Sequence, residues 1–151
     1  MVASIDFAKY VLMKASEKNI SLNYTQLQKI VYICDGLLLS YGYNIINENC
    51  RVWDYGPVYP KIYKWYSKQG NKRISNNFSA DFYSEIESSN ADAVIDSVLE
   101  KFGGMPAVKL SEWSHQAGSP WYNAKIAGGL YSKIEKSDIR IFFSRYANGK
   151  P

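Results

Sequence analysis

Hydrophobic positions recur at helical spacing along most of this chain. The clearest stripe is Leu27, Ile30, Val31, Cys34, Leu37, Leu38 and Tyr41. That period predicts a helix starting at Asn23 or Thr25 and ending at Gly42, with Gln28, Lys29, Tyr32 and Asp35 off the stripe. The stripe is wide, which predicts a central helix. Ahead of it, Phe7, Val11, Leu12 and Ala15 predict a helix over about Ile5–Lys18, with Ser4 as its cap. Behind it, Tyr43–Trp53 reads as a short hairpin. Ile45-Ile46 and Arg51-Val52-Trp53 are the expected arms, and Asn47–Asn49 the tip.

The run Arg51–Pro60 gathers Trp53, Tyr55, Gly56, Pro57, Tyr59 and Pro60 in ten positions. Arg51–Trp53 reads as extended, and Gly56-Pro57 is expected to break that run. Tyr59 precedes a proline, which disfavours helical angles, and Pro60 fits the first position of a helix. The expected element is a rigid corner, strand in and helix out. That helix spans about Pro60–Gln69, is closed by Gly70, and has Ile62, Trp65 and Tyr66 as its apolar residues.

Beyond the corner, Asn71–Asn90 reads as a long loop anchored by Ile74, Phe78, Phe82, Tyr83 and Ile86. Ser89 with Asp92 resembles a capping box for a helix over Ala91–Phe102, whose stripe is Ile95, Val98, Leu99 and Phe102. A helix over Pro106–Gln116 follows, ended by Gly118. Ser119-Pro120 pairs a cap with a first helical residue, and predicts a short helix through Ala127. Tyr131–Glu135 reads as a link. The last helix, residues 137–148, takes Ser137 as cap and Ile139, Phe142, Phe143 and Tyr146 as its stripe. With no repeat and no linker in 151 residues, the expected architecture is mainly α. It is a single compact domain, 1–151, of about six to seven helices with a small β-hairpin.

Composition narrows the function. Hydrophobic residues at 46% and charged residues at 21% suit a globular chain. A net charge of +4 is mild, and the densest basic run is Lys68–Arg73, so charge alone does not argue for a nucleic-acid partner. Cys34 and Cys50 make no disulfide framework. No apolar run has membrane-spanning length and no signal pattern opens the chain, so a cytoplasmic location is expected. The aromatic content changes the picture: thirteen tyrosines and four tryptophans exceed what a core of this size uses readily. Buried hydroxyls need partners, while Tyr and Trp are enriched at protein contact patches.

Candidate chemistry is sparse. One histidine, His115, and two separated cysteines supply no metal-binding spacing, and no cofactor or phosphate loop is indicated. Ser111, Ser114 and Ser119 neighbour His115 only as helix or turn positions. Glu17, Asp35, Asp54 and Glu112 are scattered. No catalytic residue is assigned. His115 is expected to be structural, at a helix C-terminus where a protonated imidazole suits the backbone carbonyls. The alternatives are a small hydrolase or nucleic-acid-acting enzyme using His115 as acid or base beside a carboxylate such as Asp54, and a weak nucleic-acid binder using Lys68, Lys72 and Arg73.

Three stretches carry a resemblance: Leu27-Gln-Lys-Ile-Val-Tyr-Ile-Cys-Asp-Gly36, Val52-Trp-Asp-Tyr-Gly-Pro-Val-Tyr-Pro60 and Leu110-Ser-Glu-Trp-Ser-His-Gln-Ala-Gly-Ser-Pro-Trp121. In order and spacing the chain resembles the Panacea domain family, also described as SocA-like or phage-associated GepA-like antitoxins, from about Ile5 to Ile126. Cys34-Asp35, Trp113 and Ala117 depart from the family pattern, and none of these departures removes a glycine, a proline or the histidine. The resemblance implies a mostly helical antitoxin of prophage or plasmid type. It implies direct contact with a cognate protein toxin and, in one branch, delivery of that toxin to a protease. It implies no catalysis. The family's second region has no counterpart here, so DNA autoregulation by this chain alone is not expected. The expected partner contacts are Tyr55, Tyr59, Lys61, Tyr63, Trp65, His115 and Trp121, with Tyr55, Tyr59 and Tyr63 foremost. Trp53, Gly56, Pro57, Pro60, Ser119 and Pro120 are expected to shape the fold.

Overall fold

Helix α2 (Tyr24–Ser40) is the axis around which the other elements pack. Its start is fixed locally by a capping box. The Asn23 side chain accepts from the Gln26 amide at 2.8 Å, and the Gln26 side chain accepts from the Asn23 amide at 2.8 Å. Every residue from Leu27 to Gly36 is buried, including Gln28, Lys29, Tyr32 and Asp35. The helix is therefore enclosed on all sides rather than along one stripe.

The computed structural model describes residues 1–68, Ile86 and 90–147. The other elements are α1 (Ser4–Glu17), β1 (Arg51–Trp53), β2 (Gly56–Val58), α3 (Pro60–Ser67), α4 (Ala91–Phe102), α5 (Ala107–Ser114), α6 (Pro120–Gly128) and α7 (Lys136–Ala147). The architecture is mainly α, with seven helices and one small antiparallel sheet among the described residues. None of the described helices is long and apolar enough to cross a membrane. Most of the expected Asn71–Asn90 loop lies outside the described residues, as do Lys72 and Arg73. Ile86 is fully buried in the core.

Contacts on α2 come from α1, α4, α5, β2 and, most extensively, α7. Gly36 explains the closeness of α7. A Cβ built there would lie 2.2 Å from the Phe143 ring, so only glycine admits that ring against the helix backbone.

The hairpin differs from the expected one. β1 pairs with β2 in the register Arg51↔Val58, Val52↔Pro57 and Trp53↔Gly56, leaving Asp54-Tyr55 at the tip. Gly56 does not break the strand. Its φ of 120° lets the chain re-enter the ladder after a tight turn. Ile46 instead bridges Val2 in parallel, and both Ile45 and Ile46 are buried. Two consecutive inward apolar residues cannot alternate across a two-sided hairpin. The expected link Tyr131–Glu135 is also more than a link. Ile134 N donates to Cys50 O at 3.0 Å, Val52 N to Ser132 O at 2.9 Å, and Tyr131 N to Val52 O at 2.6 Å. These bonds extend the ladder on the free side of β1.

Three caps also differ. Ser4 lies inside α1, where its backbone N and hydroxyl both donate to Glu48. A carboxylate at a helix N-terminus satisfies donors and suits the dipole better than a hydroxyl. Helix α4 is preceded by Asn90 at φ 63° with no side-chain cap bond, and Ser89 lies outside the described residues. Ser137 falls in the first turn of α7, because the main chain already turns at Glu135. The Ser119-Pro120 start of α6 is as expected: the Ser119 hydroxyl accepts from Tyr122 N at 3.1 Å.

Candidate protein-interaction surface

The strand-to-helix corner is held from below by polar groups of α2. Gln28 grips Tyr59 by its main chain in both directions: Tyr59 N donates to Gln28 Oε1 at 2.9 Å, and Gln28 Nε2 donates to Tyr59 O at 3.2 Å. Lys29 Nζ donates to Pro57 O at 3.4 Å. The Tyr59 hydroxyl donates to Asp35 Oδ2 at 2.7 Å. From α6, Trp121 Nε1 donates to Trp53 O at 2.8 Å. The Ser119 hydroxyl donates to Ser114 O at 2.9 Å, fastening α6 to α5. Five hydrogen bonds from two elements, α2 and α6, thus fix one short segment, which satisfies buried polar groups that would otherwise be costly.

Burial sets the charge state of these groups. Desolvation lowers the Lys29 amine to about 8. It raises the Asp35 carboxyl to about 6, against the opposing hydrogen bond from Tyr59 and the charge of Lys136. Both cysteine thiols are pushed up by burial and by Asp35, so neither is a ready thiolate.

Above this frame lies a row of aromatic rings. Trp53 meets Tyr63 edge-on with ring centroids 4.8 Å apart, and Tyr131 at 6.0 Å. Tyr63 meets Tyr66 at 5.5 Å, and Tyr66 stacks on Tyr24 at 4.1 Å. The row therefore runs Tyr131, Trp53, Tyr63, Tyr66, Tyr24 across three elements and the loop before α7. Its exposed members are Tyr63, at 41%, and Tyr131, at 65%; Tyr55 at the hairpin tip is 73% exposed. Tyr131 holds this place at φ 68°, a left-handed conformation that disfavours a bulky side chain.

The structure divides the expected contact residues. Tyr55, Lys61 and Tyr63 are exposed on this face. Tyr59 is not; it is fully buried, because its ring and hydroxyl complete the α2 frame. Trp121 is 5% exposed and is likewise a packing residue. Trp65 is half-buried, with the Lys9 ammonium 5.7 Å from its ring centroid. Trp53 is half-buried, while Gly56 and Pro57 are buried and Pro60 is partly so. Tyr131 carried no short-range signal of membership, because the pairing of Tyr131 with Val52 joins distant parts of the chain.

His115 ends α5 with its ring stacked on Trp121 at 3.9 Å. Of the two protonation forms, the environment favours the neutral one. Burial, with the charges of Lys29 and Lys125, lowers its pKa and favours the neutral ring. The charges that bear on it are cations, and among the described residues no carboxylate pairs with it as an acid–base partner would. Ser114 donates its hydroxyl to Ser111 O at 2.9 Å, a bond within the helix. No metal-holding cluster of His, Cys, Asp or Glu occurs among the described residues.

These features define a helical scaffold that clamps an aromatic hairpin against its central helix. The family model for the Antitoxin SocA-like, Panacea domain matches residues 27–122, from the start of the buried α2 run to the first turn of α6. The chain belongs to that family. It is 31% identical over 123 residues to Antitoxin SocA of Caulobacter vibrioides (strain NA1000 / CB15N), which covers 76% of this chain and 65% of that protein. The chain thus spans just under two thirds of the length of that relative. No solved structure matches it.

Proposed function

We propose that this domain is an antitoxin-type binding module that neutralises a toxin encoded beside it by direct contact through the hairpin and α3 face. The observation that supports this is the aromatic row, whose members Tyr63 and Tyr131 remain exposed, together with the exposed Tyr55 at the tip of the clamped hairpin. Rigid tyrosines offer large contact area with little entropy to lose on docking, and they anchor protein interfaces for that reason. A stable complex buries on the order of 1,600 Å² in total, and the exposed tyrosines would be its anchors. Membership of a SocA-like family supports the antitoxin role. The finer step, delivery of the bound toxin to a protease in the cytoplasm, is the adaptor form of the same reading.

The test is co-expression with the neighbouring reading frame, scored by growth rescue and by co-purification. A complex is expected, and Tyr55→Ala with Tyr63→Ala is expected to weaken it by at least about tenfold, since buried aromatic anchors contribute 2 kcal/mol or more. Absence of both rescue and complex would end the proposal. A shorter toxin half-life in the presence of the domain marks the adaptor form, and an unchanged half-life marks simple sequestration.

A further inference from the structure

The aromatic row has a basic border. Lys61, Lys64 and Lys68 form an exposed stripe at i, i+3 and i+7 along α3 and its C-cap, and of the three Lys64 lies nearest Tyr63, one position on and about 100° round the helix. On the other side of the hairpin, Arg51 pairs across the ladder with Lys133. Two like charges directly opposite on an antiparallel ladder destabilise it. Acidic groups relieve only part of this charge. Lys61 lies 3.7 Å from Glu48, and Lys133 lies 3.3 Å from Glu135. Arg51, Lys64 and Lys68 have no carboxylate within ion-pair distance among the described residues. Asp54, at the hairpin tip, is the one acid between Arg51 and Lys68.

We propose, building on the binding-module reading, that the partner presents an acidic surface: carboxylates pair with Arg51, Lys64 and Lys133 around an apolar centre that seats on Trp53, Tyr55, Tyr63 and Tyr131. The uncompensated border is the charge half of this complementarity, and the rings are its dry centre. Cations beside aromatics also suit single-stranded nucleic acid, which stacks its bases on open ring faces. The geometry favours protein. The inner rings Trp53, Tyr63 and Tyr66 are each engaged by two neighbouring rings, Tyr66 by stacking on Tyr24, which leaves them few open faces. Edge-on rows suit aliphatic and peptide contacts better than intercalated bases.

The experiment has two arms. In the first, the complex with the protein encoded beside this chain is titrated at rising salt. The variant Arg51→Glu/Lys64→Glu/Lys133→Glu is compared with Lys109→Glu, an exposed lysine on α5. The triple reversal is expected to weaken the complex at least about tenfold and to reduce its salt dependence, with melting unchanged and Lys109→Glu without effect. Should Tyr63→Ala disrupt the complex while the triple reversal does not, the binding reading stands and the acidic partner is wrong. In the second arm, fluorescein-labelled peptides of repeated Glu-Glu-Leu and Lys-Lys-Leu units are compared with an oligo-dT of matching length. Salt-sensitive binding of the acidic peptide, lost in the triple reversal, supports the proposal even if no toxin complex forms. No binding of that peptide, or tighter binding of oligo-dT, overturns it.

Discussion

At the scale of single residues, the decisive contrast is between Tyr59 and Tyr63. They lie four positions apart, where a helical period would place them on one side, yet Tyr59 precedes α3 and is extended. Its ring is therefore directed into the α2 frame, while Tyr63 faces out. Tyr59→Ala is expected to cost about 3–5 kcal/mol of folding free energy, as for other buried aromatic truncations. Tyr63→Ala is expected to change stability by less than about 1 kcal/mol and to act on partner binding. Urea denaturation of the two variants checks both values. The partner of Tyr59 makes a second prediction. Asp35 has its carboxyl raised from the usual 3.8 to about 6. The folded state therefore holds a proton that the unfolded state has released between those values. Its stabilising contribution is complete below about 4 and is lost as pH rises through about 6, worth about 3 kcal/mol for a shift of this size. His115 has the opposite sign: its lowered pKa gives a contribution present at neutral pH and lost as pH falls. The difference between the protein and Asp35→Asn isolates the carboxyl. Chemical denaturation at several pH values from 4 to 7 is expected to show that the protein's stability falls relative to the variant as pH rises.

At the scale of elements, Gly56 is the position on which the hairpin depends. Its φ of 120° is unfavourable for an L side chain, and an added Cβ would lie 2.6 Å from both Lys29 Cε and Ser114 Oγ. Gly56→Ala is expected to destabilise by at least about 2 kcal/mol, combining backbone strain with displacement of the buried lysine. Tyr131→Gly is expected to act differently. It removes a left-handed tyrosine and with it about 1 kcal/mol of strain, at the expense of one edge contact to Trp53. Its melting temperature should stay close to that of the parent while partner binding weakens severalfold. The elements also show what was readable in advance. α2 and α6 were legible because their signals are local: Asn23 and Ser119 cap them, and the apolar period declares α2. The glycine and prolines of the corner were legible as a special segment. The hairpin register was not, because Gly56 reads as a breaker until its turn is known, and Ile45-Ile46 imitates a strand. The ladder contributed by residues 131–134 joins chain segments about eighty positions apart, which no window of sequence reveals. Burial of Tyr59 and Trp121 followed from hydrogen bonds to α2 and to Trp53 O, again long-range.

At the scale of the molecule, the family match ends at residue 122, but the packing around α2 does not. Ile134, Ile139 and Phe143 belong to the same buried cluster as Phe7, Leu27 and Ile95. Phe143 occupies the face of α2 that Gly36 leaves open, meets Tyr32 edge-on at 5.5 Å, and touches Trp113 of α5. The loop before α7 also delivers Tyr131 to the aromatic row. Stability and the proposed interaction surface therefore draw on the same C-terminal segment. Phe143→Ala leaves a cavity against a bare glycine that no neighbouring side chain can fill, with an expected cost of about 3–5 kcal/mol. A chain stopped after Glu135 loses α7 entirely and exposes one side of α2, including Tyr32 and Gly36. We expect that shortened chain to lack a cooperative melting transition, and the full chain to melt in one step with the Trp53 and Trp113 fluorescence changes coincident with the loss of helix. If the shortened chain instead melts cooperatively with the parent's helix content, residues 136–147 are an appendage and the folding unit closes before them.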